Sequence, residues 1–221
     1  MREIGVWTVD LHGLPADGEL LDEDELARWR RLRTAGLRAR FAAAHWARRT
    51  ILGDCVGIDP AALRFTTGRW GKPELADGSI FHSLSHCGAV AMVAVSADAP
   101  VGVDIEAVRP DLPAGRLART FFPAPEARAV EAAADPPARY IRLWTRKEAA
   151  GKVVGLNLDR TLRIGVVDTA TGPVPLERLD GGPAVGRITD IAAPGALLAA
   201  VARLGPEPFT VRMSSLAPVP A

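Results

Sequence analysis

The sequence is poor in cysteine and lysine, and it has no long hydrophobic run. Only two cysteines, Cys55 and Cys87, occur in 221 residues, which excludes a disulfide framework and a cysteine-based metal centre. No apolar segment reaches the roughly 18 residues that a membrane helix needs. The first residues, MREIGVW, also lack the basic and apolar regions of a secretion signal. We therefore expect a soluble, cytoplasmic protein.

Charge of one sign is also missing, since the formal net charge is only +1. No global field would attract nucleic acid or an anionic membrane. The distribution is uneven, however, because Leu26 to Gly53 holds eight arginines and no acidic residue. This segment could be a solvated helix face or could meet an anionic ligand.

Hydrophobic residues make up 48% and charged residues 24% of the chain, as in ordinary globular domains. The order of apolar patterns predicts an α+β protein in which helices are followed by strands twice along the chain. We predict an N-terminal half over 1–106, a C-terminal half over 107–213 and a disordered tail over 214–221. Arg109 to Pro125 reads as a surface connection, and Leu162 to Val167 as a short strand.

The sharpest short feature is Val101 to Glu106, VGVDIE. On a strand, alternation places Gly102, Asp104 and Glu106 on the face opposite the three apolar residues. Two neighbouring carboxylates repel and raise one another's pKa, and a divalent cation between them would relieve this. Mg²⁺ favours such hard oxygen ligands. Two solvated carboxylates at a strand edge are the plainer interpretation.

A second feature concerns the lysines, of which the chain has three against 24 arginines. Two of them, Lys147 and Lys152, lie within WTRKEAAGK, at residues 144–152. On a helix, Trp144, Glu148 and Lys152 share one face, with Lys147 beside them. A simple ion pair between helix turns would accept arginine equally well. Two lysines therefore indicate that a compact ammonium group is needed, able to contact one phosphate oxygen or exchange a proton.

Five short motifs follow one another along the chain. They are G-K-P at 71–73, S-L-S-H at 83–86, V-G-V-D-I-E at 101–106, F-F-P-x-P-E at 121–126 and W-T-R-K-E-x-x-x-K at 144–152. In this order and spacing they resemble the 4'-phosphopantetheinyl transferases, of the larger, monomeric type named after the surfactin-synthetase activator (Sfp). Two positions depart from the usual pattern, since Ser83 stands where the family often has Asn, and Cys87 replaces a common Ser.

The resemblance implies two similar α+β halves related by a pseudo-two-fold axis, with coenzyme A and Mg²⁺ in the cleft between them. It assigns the metal to three carboxylates and coenzyme A to a second set of side chains. The metal set is Asp104, Glu106 and Glu148. Lys72, His86 and Lys152 would bind the coenzyme A phosphates, and Ser85 would make a further ligand contact. For the adenosine 3'-phosphate, a guanidinium suits because it binds phosphate in a bidentate manner; we expect Arg40, with Arg28 and Arg31 behind it.

The resemblance also implies a reaction, the transfer of phosphopantetheine from coenzyme A to a serine of a carrier protein with release of 3',5'-ADP. The catalytic residues would be Asp104, Glu148 and Lys152. Lys152 would neutralise negative charge on the ADP leaving group. Glu148 would be the base for the serine, directly or through a bound water. The expected partners are apo acyl or peptidyl carrier proteins of fatty acid, polyketide or nonribosomal peptide synthesis. Phe121 and Phe122, beside the basic segment Arg109 to Arg119, are predicted to dock them.

Two other function classes stay open on the residues alone. The carboxylates and lysines could instead hydrolyse a nucleotide pyrophosphate, with water as the acceptor. The arginine-rich segment could belong to a non-enzymatic module that binds nucleic acid, although that function gives no reason for the carboxylate pair and the lysines to coexist.

Overall fold

The computed structural model describes residues 2–68, 72–167, 172–177 and 182–216. Within these residues it contains helices and strands in mixed order, which confirms the α+β class. The helices are α1 (Glu23–Arg31), α2 (Ala35–Val56), α3 (Ala114–Phe121), α4 (Ala124–Glu131), α5 (Pro136–Val154) and α6 (Leu158–Leu162). The strands are β1 (Arg2–Asp10), β2 (Phe65–Thr67), β3 (Pro73–Leu75), β4 (Phe81–Cys87), β5 (Val90–Ser96), β6 (Val101–Ala107), β7 (Val174–Glu177), β8 (Pro183–Ile191), β9 (Leu197–Leu204) and β10 (Phe209–Ser215).

Local sequence explains where the main helices begin and end. Helix α1 starts with a capping box, in which Asp22 accepts from the backbone N–H of Glu25 at 2.9 Å and Glu25 accepts from that of Asp22 at 3.0 Å. Thr34 caps α2 through its hydroxyl. Helices α2 and α5 both end at a glycine in the left-handed region, Gly57 and Gly155, where a side chain would strain the backbone.

Two four-stranded sheets form the framework. The first has the order β10-β1-β5-β4, and the second has the order β6-β9-β8-β7. Strand β1 pairs with β10 in parallel and with β5 in antiparallel orientation. The second sheet is antiparallel throughout. A separate two-stranded ribbon, β2-β3, precedes β4.

The sheets do not follow the division predicted at residue 106. Strand β6, placed in the N-terminal half by that boundary, pairs with β9 of the second sheet. Strand β10, placed in the C-terminal half, pairs with β1 of the first. Each predicted half therefore contributes one strand to the sheet that is formed mainly by the other half. The alternation of apolar residues along a strand does not predict such an exchange.

Three local predictions differ from the structure. The segment Arg109 to Pro125 is not only a connection, since it contains α3 with the buried residues Ala114 and Ala118. Leu162 to Val167 is not a strand, because α6 ends at Leu162 and irregular chain follows. Strand β10 includes Ser214 and Ser215, which were predicted to belong to the tail. Residues 217–221 of that tail lie outside the described residues.

The buried core has three parts. One lies between α2 and the first sheet, and another lies under α5 and the second sheet. The third contains Ile4 and Val6 of β1 together with Val103 of β6 and Val201 of β9, all essentially without exposed surface. Since both sheets supply this third cluster, they pack against each other, and β4 is brought beside β6.

Candidate active site

Strands β4 and β6 meet through side chains of β4. Ser83 accepts a hydrogen bond from the backbone N–H of Val103 at 3.1 Å, and Ser85 donates to Asp104 Oδ1 at 2.8 Å. Both serines point to β6, and His82, Leu84 and His86, which alternate with them along the strand, therefore belong to the opposite face of β4. Ser83 thus joins the two strands.

Helix α5 lies directly on β6 because Gly102 has no side chain. A Cβ at Gly102 would lie 2.0 Å from the backbone oxygen of Ala149 and 3.0 Å from Lys152 Cβ. This close approach places Lys152 Nζ 2.8 Å from Asp104 Oδ1 and 3.0 Å from the backbone oxygen of Val103. The contact between β6 and α5 therefore requires glycine at position 102, and the sequence pattern did not indicate this role.

Asp104, Glu106 and Glu148 converge between β6 and α5. Burial first, and then the charge of Asp104, raise the pKa of both glutamates. Asp104 Oδ2 and Glu148 Oε1 are buried without a hydrogen-bond partner, which is costly for carboxylate oxygens. Within the described residues, no three His, Cys, Asp or Glu side chains have the arrangement of a metal site. The donor chemistry nevertheless fits a hard cation, because the unpartnered oxygens are carboxylates.

A cavity of about 340 Å³ opens beside these carboxylates. Its walls come from α1 and α2, from β4, from the residues before β3 and from the end of α5. No acidic side chain is among the described residues that line it, whereas four cationic ones are: Arg28, Arg48, Lys72 and Lys152, together with the histidines His45, His82 and His86. The cavity thus suits a ligand that carries several negative charges.

Lys72 and His86 were predicted as phosphate ligands, and both line this cavity. Burial lowers the pKa of Lys72 to about 8, and its ammonium donates to the backbone oxygen of Val101 at 3.3 Å. Desolvation first, and then the charges of Lys152 and Arg40, lower the pKa of His86. Arg40 itself is exposed and is not among the lining residues, whereas Arg28 is.

Sequence reasoning missed a buried polar cluster behind the cavity. Glu25 of α1 pairs with His45, Arg48 and Arg49 of α2, and both arginines lie over the ring of Phe65. His45 and Arg48 also line the cavity. The spacing of a histidine and an arginine three residues apart on α2 would place them on one face. That spacing does not reveal their common partner, because Glu25 lies on a different helix, α1.

Lys147, whose role was open, lies away from the carboxylates. Its ammonium is buried against Glu126 and donates to the backbone oxygen of Ile164. It also lies 4.7 Å from the centre of the Phe122 ring. Phe122 is only 7% exposed and stacks on Tyr140, so the prediction that it docks a partner is wrong. Phe121, at 47% exposed, is accessible.

Comparison with known proteins identifies the family. A family described as the 4'-phosphopantetheinyl transferase superfamily matches residues 100–189. The 4'-phosphopantetheinyl transferase HetI of Nostoc sp. is 32% identical over 163 residues, or 71% of this chain and 69% of that protein. The chain belongs to the 4'-phosphopantetheinyl transferases. A 4'-phosphopantetheinyl transferase of Bacillus subtilis is also 32% identical, over 64% of this chain and 68% of its own length. That of Bacillus pumilus, psf-1, is 36% identical over 56% of each chain.

In this 4'-phosphopantetheinyl transferase, the matched region contains both β6 and α5. It therefore includes the carboxylates Asp104, Glu106 and Glu148 and the ammonium of Lys152. The cavity walls from α1, α2 and β4 lie before it. Within the described residues, no helix is long and apolar enough to cross a membrane.

Proposed function

We propose that this enzyme transfers the 4'-phosphopantetheine group of coenzyme A to a serine hydroxyl of an apo carrier protein, in an Mg²⁺-dependent reaction that releases 3',5'-ADP. One observation carries this proposal: Lys152 touches Asp104 at 2.8 Å and at the same time lines a basic cavity of about 340 Å³. A carboxylate cluster and an anion cavity thus share one side chain. A nucleotide pyrophosphate that lies across both would meet a cation site and several phosphate ligands.

Three carboxylates, Asp104, Glu106 and Glu148, would hold Mg²⁺. Two of them carry a buried oxygen without a partner, and the pKa of both glutamates is raised by burial and by the charge of Asp104. A divalent cation would remove both costs. When bound, Mg²⁺ supplies charge neutralisation for the pyrophosphate oxygens.

The chain's own residues would do the remaining chemistry. The serine oxygen attacks the β-phosphorus, the bond from that phosphorus to the bridging oxygen breaks, and 3',5'-ADP leaves with the bond's electrons. Lys152 donates hydrogen bonds to the oxygens on the leaving side, where negative charge develops. Glu148 accepts the serine proton, directly or through a bound water.

The phosphates of coenzyme A would be bound by side chains that line the cavity. Lys72 and His86 line the cavity together with Lys152, so the three can contact different oxygens of one pyrophosphate. For the 3'-phosphate, Arg28 is favoured over Arg40 because only Arg28 is among the lining residues. Arg40 would then act at longer range, as its effect on the pKa of His86 indicates.

The carrier protein would dock beside α3. Phe121 is 47% exposed at the end of that helix, and it borders a surface cleft of about 290 Å³ with Asp159 and Arg163. Arg116 and Arg119 lie on the same helix and suit the acidic surface that carrier proteins have around the modified serine. We place the docking contact on Phe121 and not on Phe122.

Two further features of the family form part of the proposal. The two halves would be related by a pseudo-two-fold axis, since each sheet has one long helix packed on it, α2 on the first and α5 on the second. The enzyme would act as a monomer, as expected for the larger type.

The proposal is tested by following 3',5'-ADP. Coenzyme A and Mg²⁺ are incubated with the enzyme alone, with an apo carrier protein, and with the same carrier after its serine is replaced by alanine. We expect 3',5'-ADP only with the intact carrier. Release without any carrier would instead show hydrolysis of the pyrophosphate, and no release with several acyl and peptidyl carriers would contradict the transferase function.

A further inference from the structure

His45 is held by a carboxylate from another helix. Its Nδ1 lies 2.8 Å from Glu25 Oε1, and Glu25 also pairs with Arg48 and, at 3.0 Å, with Arg49. The imidazole ring stacks on Phe41, with the ring centres 4.0 Å apart. Glu25 and His45 are both buried, at 6% and 9% exposed. The ring is therefore fixed in position and in direction.

This geometry also fixes the tautomer of His45. A carboxylate can only accept a hydrogen bond, so Nδ1 must carry the proton and donate to Glu25. Burial, together with the charges of Arg48 and Arg49, lowers the pKa of His45, and the ring is neutral at neutral pH. Its Nε2 then has a lone pair and no proton, which makes it a hydrogen-bond acceptor.

The position of His45 in the cavity indicates which part of a ligand it would meet. Lys152 and His86 line the cavity of about 340 Å³ but not the cavity of about 260 Å³ on the side of α1. Arg28, His45 and Arg48 line both cavities. His45 is thus on the side of the larger cavity away from the carboxylates, where the nucleoside of coenzyme A would lie if its pyrophosphate meets Lys152.

An acceptor on this side differs from the phosphate ligands around it. Arg28, Arg48 and Lys72 can only donate hydrogen bonds, so they suit phosphate oxygens and do not distinguish one nucleoside from another. A neutral histidine can instead accept from an N–H or O–H group of the nucleoside. Such a contact is selective, because a bound ligand without that donor would cover Nε2 and leave it unpaired.

We propose that His45 is a specificity-determining residue, whose Nε2 accepts a hydrogen bond from the amino group of the base or from a ribose hydroxyl of coenzyme A, and that Glu25 is the positioning residue that fixes its tautomer. This inference rests on the proposed function, since it takes coenzyme A as the ligand. It goes beyond that function in assigning the recognition of the nucleoside.

The first experiment measures binding of 3',5'-ADP by calorimetry, which needs no carrier protein. Asparagine at position 45 keeps an amide near Nδ1 and removes the acceptor at Nε2, whereas glutamine places an amide near Nε2. We expect His45→Asn to weaken binding roughly three- to tenfold, the effect of one hydrogen bond. His45→Gln should recover most of that loss. Equal affinities of the wild type and His45→Asn would overturn the inference.

The second experiment changes the ligand, so it does not depend on whether a variant folds. Wild-type enzyme is titrated with 3',5'-ADP, with its 6-oxo (inosine) analogue and with its 2'-deoxy analogue. One of the two analogues should bind more weakly, and the identity of that analogue shows which group donates to His45. In His45→Asn, that analogue should bind as well as 3',5'-ADP does. Equal binding of all three ligands to the wild type would contradict the inference while leaving the transferase function intact, whereas no binding of 3',5'-ADP would contradict both.

The positioning role of Glu25 has a spectroscopic test. Ring ¹⁵N shifts of labelled histidine should show the Nδ1–H tautomer for His45, assigned by the signal that His45→Asn removes. In Glu25→Gln the amide can also donate, so the Nε2–H tautomer should appear and 3',5'-ADP should bind more weakly. An unchanged tautomer in Glu25→Gln would show that Glu25 does not position the ring.

Discussion

Lys147 Nζ lies 2.5 Å from Glu126 Oε2, and neither side chain has more than 1% of its surface exposed. This pair joins the fourth and fifth motifs of the sequence, F-F-P-x-P-E and W-T-R-K-E-x-x-x-K. Glu126 also accepts from the backbone N–H of Val166 at 2.5 Å, so the pair holds α4, α5 and the chain after α6 together. The two lysines of the W-T-R-K-E motif therefore differ in function: Lys147 is structural, and Lys152 belongs to the proposed site.

Removal of Lys147 alone should destabilise the enzyme strongly. Lys147→Met leaves the Glu126 carboxylate buried without a countercharge, which costs about 3–5 kcal/mol of unfolding free energy. The double variant Lys147→Met with Glu126→Gln removes both charges and should recover part of that loss. Urea unfolding of the three proteins measures this. A wild-type unfolding midpoint for Lys147→Met would show that the pair is not structural.

Gly102 should not tolerate alanine. A Cβ 2.0 Å from the oxygen of Ala149 would force α5 away from β6, with a cost of about 1–3 kcal/mol or more and loss of the contact between Lys152 and Asp104. Gly36→Ala is the matched control, because nothing lies within 4 Å of a Cβ at that position in α2. We expect thermal unfolding and transfer assays to show lower stability and activity for Gly102→Ala only. Full activity of Gly102→Ala would contradict the role given to this contact.

Phe121 and Phe122 should respond differently to alanine. Phe121 is exposed, so Phe121→Ala should raise the KM for the carrier protein several-fold and leave 3',5'-ADP binding and stability near wild type. Phe122 is buried against Tyr140, so Phe122→Ala should lower stability by about 3–5 kcal/mol. Steady-state kinetics and urea unfolding separate the two effects. An unchanged carrier KM in Phe121→Ala would exclude α3 as the docking site.

Much of the candidate site could be predicted because its residues are local in sequence. The alternation of VGVDIE placed Asp104 and Glu106 on one face of a strand, and helical spacing placed Glu148 and Lys152 on one face of α5. The structure brings these two faces together. It also places Lys72 and His86 in the cavity beside Lys152.

The remaining features depend on contacts between distant segments. The exchange of β6 and β10 between sheets is set by pairing partners that lie about a hundred residues away, as for β6 with β9, or at the other end of the chain, as for β10 with β1. The pairs of Glu25 with His45 and of Glu126 with Lys147 join separate helices. The segment Leu162 to Val167 has the apolar content of a strand, but the backbone groups of Ile164 and Val166 bond to side chains of α4 and α5, so no strand forms.

Ligand affinity should depend on the charge of Lys72. Burial lowers its pKa to about 8, so the free enzyme loses this positive charge as the pH rises through that value. The affinity for 3',5'-ADP should therefore fall with rising pH in this range. Lys72→Arg stays charged, and Lys72→Ala has no charge to lose, so both should give a flatter profile, with weaker binding throughout for Lys72→Ala. A wild-type profile as flat as that of Lys72→Arg would show that Lys72 keeps its charge in this range, and wild-type affinity in Lys72→Ala would exclude Lys72 as a phosphate ligand.

The intact mass of an apo carrier protein, after incubation with coenzyme A, Mg²⁺ and either the wild-type enzyme or Asp104→Ala, tests the central claim most directly. Asp104 contacts Ser85 and Lys152 and carries one of the unpartnered oxygens, so its carboxylate joins the proposed metal site to the lysine at the leaving group. We predict that the wild type adds the mass of one phosphopantetheine group to the carrier, and that Asp104→Ala, folded as judged by circular dichroism, adds none. Full modification by Asp104→Ala, or none by the wild type with any acyl or peptidyl carrier, would contradict the account.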